Sequence, residues 1–166
     1  GDRSEAIEVF AELMAARQKE SLSPVLADPE ILDRIADSKQ PKSAIRDSLL
    51  ALARECPDLV DKGLILEMLK KGQGPDPPYR ASRWIIQMAK NVDSKGWPGE
   101  LLDMELLKAI VRSPYNLRGV TGMLEDLAEE QARLGLDAGI LDHRILAVMV
   151  DNLPESGGIA ENLVDL

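Results

Sequence analysis

Aromatic side chains are scarce in this chain. They make up 3% of the 166 residues: two Trp, two Tyr and one Phe. The core must therefore be built from Leu, Ile, Val, Ala and Met, which together with Glu and Lys favour helices over strands. The single cysteine excludes an internal disulfide and fits a reducing compartment. No apolar run approaches the roughly twenty residues needed to cross a bilayer. The first twenty residues carry acids and no apolar stretch of the signal-peptide kind. These features point to a soluble intracellular, cytoplasmic protein with no membrane partner. Also missing are a Gly-x-Ser-x-Gly elbow, a phosphate-binding lysine loop, a dinucleotide fingerprint and a His-Glu-x-x-His pair. No cofactor is expected, and no enzyme class announces itself.

Cations are in short supply too, and unevenly so. The formal net charge is −9. Residues 1–95 hold 15 bases and 16 acids, whereas residues 96–166 hold 5 and 13. An acidic surface repels phosphate backbones, so nucleic acid is not the expected partner. One window stands apart. Lys70, Lys71, Arg80, Arg83, Lys90 and Lys95 fall between residues 70 and 98, together with Tyr79, Trp84 and Trp97.

What is present is repetition. Leu49-Leu50-Ala51-Leu52-Ala53-Arg54 returns as Ile85-Ile86-Gln87-Met88-Ala89-Lys90, and Leu59-Val60-Asp61 returns as Leu101-Leu102-Asp103 and Ile140-Leu141-Asp142. The second element recurs after 42 and then 39 residues. Self-similarity near this period is the mark of stacked helical hairpins, none of which can bury its apolar face alone.

Apolar stripes and breakers set the expected elements. Asp2 with Glu5 forms a capping box ahead of the Ile7, Phe10, Leu13 and Met14 stripe, which fades near Lys19. Ser23-Pro24 and Asp28-Pro29 are cap-then-proline starts, giving a helical turn at 24–27 and a helix at 29–37. The stripe from Ile45 to Cys56 ends at Pro57. Further helices are expected at about 58–71, 80–92, 99–112, 117–134, 138–153 and 158–164, with a Gly/Pro-rich loop at 72–78. The reading is a single all-α domain spanning 1–166, with about eight or nine helices in a short solenoid or irregular bundle.

Short stretches resemble known repeats. Gly1-Asp2-Arg3-Ser4-Glu5-Ala6-Ile7 with Phe10 resembles the second helix of tetratricopeptide- and pentatricopeptide-type repeats, and Ser156–Glu161 echoes it. Glu67-Met68-Leu69-Lys70-Lys71-Gly72 through Pro75-Asp76 is similar to the end of a pentatricopeptide repeat. The resemblance implies hairpin stacking. The RNA-reading members carry a small polar residue before the paired apolar residues of the first helix. Ser48 fits that pattern, whereas Trp84 and Gly122 do not.

Three groups of residues are candidates for chemistry. Cys56 and His143 are a potential nucleophile and base, and Cys56-Pro57-Asp58 resembles the Cys-x-Asp signature of one class of bacterial ubiquitin ligases. That resemblance implies a cysteine-dependent transferase using Cys56 with Asp58 or His143. Against it, Cys56 continues an apolar stripe near a helix C-terminus, where a thiol is held protonated. Asn91-Val92-Asp93-Ser94-Lys95-Gly96 mimics the opening of a calcium-binding EF-hand loop, but Lys95 occupies a ligand position and Leu102 stands where the closing Glu belongs. No metal is expected, and the string reads as a helix end and turn. Glu125, Asp126, Glu129 and Glu130 read as a solvated helix face, with an acidic docking surface as the alternative. The 70–98 window is the best candidate for recognition, since Trp, Tyr and Arg dominate interface energetics. Lys71, Tyr79, Arg80, Arg83 and Trp97 are expected to touch a partner. The expected function is a non-enzymatic protein–protein interaction module. The alternatives are the Cys56 transferase and an RNA-binding helical repeat. The sequence leaves the oligomeric state open.

Overall fold

Asp28, Asp61, Asp103 and Asp142 each open a short helix. Their carboxylates accept hydrogen bonds from the backbone N–H groups of Glu30 (2.8 Å), Leu64 (2.9 Å), Glu105 (2.9 Å) and Arg144 (2.8 Å). Each thereby satisfies one of the donors that a helix start leaves unpaired. The computed structural model describes residues 3–70, 78–113, 117–134 and 142–152, and for 78–80 and 117 it describes the backbone alone. Within these residues eight α-helices run in the order α1 (Arg3–Glu20), α2 (Pro29–Asp37), α3 (Lys42–Glu55), α4 (Lys62–Lys70), α5 (Pro78–Lys95), α6 (Met104–Arg112), α7 (Leu117–Leu134) and α8 (His143–Asp151). Among the described residues there is no strand, and no helix is long and apolar enough to cross a membrane. The expected capping box at Asp2, residues 72–77 of the expected 72–78 loop and the helix at 158–164 lie outside the described residues, while Pro78 opens α5 rather than closing the loop.

The recurring apolar-apolar-Asp element corrects the helix starts. Residues 58–61 and 99–103 were expected inside helices. Instead, 3₁₀ turns occupy Pro57–Leu59 and Gly99–Leu102, and the helix begins after the aspartate. A third 3₁₀ turn, Pro24–Ala27, precedes Asp28 in the same way. Pro57 and Pro98 start the turn, and the Asp side chain then competes for the backbone donors that a continuous helix would use. α8 begins at His143 behind its cap Asp142, and the residues 138–141 expected to open that helix lie outside the described residues.

Long and short helices alternate, and alternate helices lie side by side. The long ones form one layer, α3 packing between α1 and α5, and α5 between α3 and α7. The short ones form the second, α2 beside α4, α4 beside α6 and α6 beside α8. The two layers bury an aliphatic core in two clusters. One gathers Ala6, Val9, Leu13, Ile31, Ile35 and Leu49 with neighbours from α1–α4. The other is centred on Leu64, Met68, Ile85, Met88, Leu106 and Leu124. Val60 packs against both.

Polar pairs tie the long layer together at a fixed offset of 34 residues. Arg46 meets Glu12 at 2.5 Å and Arg54 meets Glu20 at 2.6 Å. Ser48 bonds Ser82 at 2.7 Å, Asn91 donates to Glu125 at 3.2 Å and Lys95 pairs with Glu129 at 3.1 Å. Glu125 and Glu129, expected on a free acidic face, are thus engaged by α5.

Candidate functional site

A groove runs along the long-helix layer between α3 and α5. Ala44, Ser48 and Ala51 of α3 share one face by their spacing of four and three residues, and Ser82, Arg83 and Ile86 face them from α5. Small side chains along this stretch hold the helix surface back and leave a space of about 510 Å³. Ser48 and Ser82 bond to each other across its buried floor. Asp47 stands on the α3 rim and is paired with Arg46 at 3.0 Å. Arg83 and Lys90 stand on the α5 rim. Lys90 is only 3.9 Å from Glu55, a loose and exposed pair, and Arg83 has no ion-pair partner among the described residues.

This groove holds one of the five expected contact residues. Arg83 is exposed on its rim. Tyr79 and Arg80 lie in the first turn of α5, where the backbone alone is described, and Lys71 lies outside the described residues. Trp97 is a correction. It is 6% exposed and belongs to the core around Leu64 and Met88. Its ring is covered by the Lys95 ammonium, 4.7 Å from the centroid. Gly96 takes a left-handed conformation (φ +66°) that ends α5, and the Trp97 N–H donates back to the Val92 carbonyl at 3.1 Å. The Asn91–Gly96 string is the C-terminal end of α5 and this turn.

Cys56 lies at the C-terminal end of α3, half-buried against the core. It lines a cleft of about 400 Å³ together with Asp58, Lys90 and Asp93. Burial pushes the thiol above its ordinary range, and Glu55 adds to this while Lys90 opposes it. A thiol so placed stays protonated and is a poor nucleophile. His143 is elsewhere, at the first position of α8. Its backbone N–H donates to Glu100 Oε2 at 3.1 Å, its ring Nδ1 contacts the same carboxylate, and Nε2 is 3.5 Å from Asp103. The Glu100 hydrogen bond is the main cause that raises the imidazole above its usual range. The structure therefore joins Cys56 with Asp58 and leaves His143 out.

Asp103, Glu105 and His143 bring three ligand-type atoms within 4.8 Å of one another. Asp103 already caps α6, and both carboxylates sit at the electropositive start of a helix. The arrangement is suited to holding an imidazolium between two helix starts.

The groove itself was not legible as a site. Its signal was the small-residue spacing in Ala44-x-x-x-Ser48-x-x-Ala51, which only becomes a groove once α3 is paired with α5. No protein-family model matches the chain, no curated protein matches its sequence and no solved structure matches its fold.

Proposed function

We propose that the chain is a non-enzymatic protein-interaction module, and that the α3–α5 groove receives a segment of another protein. The observation that supports this reading is the small-residue groove with Arg83 on its rim, unpaired among the described residues. Small residues let a partner backbone come close, and an unpaired arginine offers a bidentate site to a carboxylate. The rim favours a segment with an acid facing α5 and apolar side chains over Ala44, Ala51 and Ile86. The raised thiol of Cys56 argues against the transferase reading. The chain's net charge of −9 argues against RNA.

The test is to block the groove. Ala51→Trp fills it, and Arg83→Glu reverses its rim. Both variants should keep the far-UV circular dichroism of the parent. Both should lose, by at least tenfold in affinity, a partner captured with the parent chain; tenfold corresponds to about 1.4 kcal/mol. A partner that binds both variants as tightly as the parent docks elsewhere, and the groove assignment is then wrong.

A further inference from the structure

The starts of α6 and α8 bring an imidazole and several carboxylates to one place. Glu100 lies in the 3₁₀ turn ahead of α6, Asp103 caps α6, Glu105 is in its first turn, and His143 opens α8. Asp103 divides its carboxylate between two tasks. Oδ1 accepts from the Glu105 N–H at 2.9 Å, and Oδ2 faces His143 Nε2 at 3.5 Å. Glu105 supplies a third ligand-type atom, and the three lie within 4.8 Å of one another. His143 is the only histidine in the chain.

The ring is oriented as a metal-binding imidazole is. The Glu100 carboxylate engages Nδ1 and also accepts the His143 backbone N–H at 3.1 Å. An ionised carboxylate can only accept, so Nδ1 carries the proton and the lone pair of the neutral ring is on Nε2. A carboxylate behind a histidine fixes tautomer and orientation in the same way at zinc sites. The 3.5 Å from Nε2 to Asp103 is long for a hydrogen bond. It is close to the roughly 3.3 Å between two ligands of a tetrahedral ion with bonds of about 2.0–2.1 Å. Charge also calls for a cation. Glu100, Asp103 and Glu105 are three carboxylates, and the two helix starts offset only about half a unit charge each. Arg112 and Arg144 feel Glu105, but each is held by another acid, Asp151 at 2.7 Å and Asp142 at 3.0 Å.

We propose that Asp103, Glu105 and His143 bind a zinc ion, with Glu100 as the positioning residue behind the imidazole. One nitrogen and two carboxylate oxygens suit a first-row dication such as zinc rather than calcium or magnesium, which take oxygen ligands. Three protein ligands leave the fourth position of a tetrahedral ion to water, on the side that exposed Glu105 opens to solvent. In the metal-free chain a proton on Nε2 neutralises part of the same charge, and zinc binding releases it. The bound ion ties the start of α8 to the start of α6. The site is separate from the α3–α5 groove and does not depend on what that groove receives.

Calorimetric titration of the chelator-treated chain with zinc chloride, at about pH 8 to favour the neutral ring, tests the proposal. The parent should take up one ion per chain, and its melting temperature should rise to saturation with zinc. Cobalt(II) should give the visible absorption of a four-coordinate ion. His143→Gln should abolish binding. Asp103→Asn, which keeps a capping side chain, and Glu105→Gln should each weaken it at least tenfold. Glu100→Gln should weaken it by about 10–100-fold, as loss of the group behind a ligand does. Cys56→Ser should bind as the parent does. Circular dichroism checks the fold; should His143→Gln misfold, Glu105→Gln decides, because Glu105 is exposed and caps no helix. A parent chain with no saturable zinc binding overturns the proposal. So does binding that survives His143→Gln or Glu105→Gln, since the ion then sits elsewhere. Calcium or magnesium binding as tightly as zinc overturns it too, because the cluster is then only a patch of negative charge.

Discussion

Trp97→Ala separates a contact residue from a core residue. In the sequence this tryptophan sits in a Gly/Pro turn beside cations, as a recognition residue would. In the structure it is 6% exposed and packed among the aliphatic side chains of α4, α5 and α6. Truncating a buried Trp costs about 3–5 kcal/mol, from lost transfer energy and the cavity left behind. A chain of this size loses roughly 2–4 °C of melting temperature per kcal/mol, so the fall should be about 6–20 °C. The assay is thermal and urea unfolding followed at 222 nm, with Arg83→Ala as an exposed control expected within about 0.5 kcal/mol of the parent. Trp97→Phe should recover much of the loss, because an aromatic ring still fills most of the space. A Trp97→Ala protein that melts within a degree or two of the parent would mean the ring is not a core element, and the packing around Leu64 and Met88 would need to be redrawn.

Other changes have distinct signatures. His143 has its affinity for a proton raised by Glu100 and Asp103. Its contribution to stability is therefore complete below the unfolded-state value of about 6.5 and is lost as pH rises through the higher folded value. Melting temperature should fall over that interval, and His143→Gln should flatten the dependence; an unchanged profile would show that the contacts with Glu100 and Asp103 do not form. Cys56 should react slowly with a small alkylating agent at neutral pH, and alkylation as fast as that of a free thiol would revive the transferase reading. Asp103→Ala removes the cap of α6 and should cost on the order of 1 kcal/mol in urea unfolding. Ser21 follows α1 in a left-handed conformation (φ 56°); Ser21→Gly should raise stability by about 1 kcal/mol, and a loss instead would mean the serine earns its place through another contact.

The stripes and caps made much of the fold readable. The helix at 29–37 and the one at 117–134 carry the bounds expected from their breakers, and the turn at 24–27 is present as a 3₁₀ turn. The misplaced starts of α4 and α6 share one cause. Leu59, Val60, Leu101 and Leu102 are apolar because they pack under the layers, and that periodicity looks helical even where the chain is in a 3₁₀ turn. Only the aspartate marks the true start, and its signal is one residue long. The candidate site was harder. The basic window was visible by composition, but burial of Trp97 depends on the reversal at Gly96, and the groove depends on which helix lies beside α3. Neither is a local property.

The core divides into two clusters, with Val60 packed against both and helices α3 and α4 contributing to each. Among the described residues the main helix contacts run between next-but-one neighbours, and none of these main contacts joins one end of the stack to the other. Cooperativity in such a body is handed along rather than shared at once. Unfolding can therefore begin in one cluster while the other persists, and amide exchange would record two protection levels meeting near α3 and α4. The joint between the clusters governs whether the protein responds as one unit or as two.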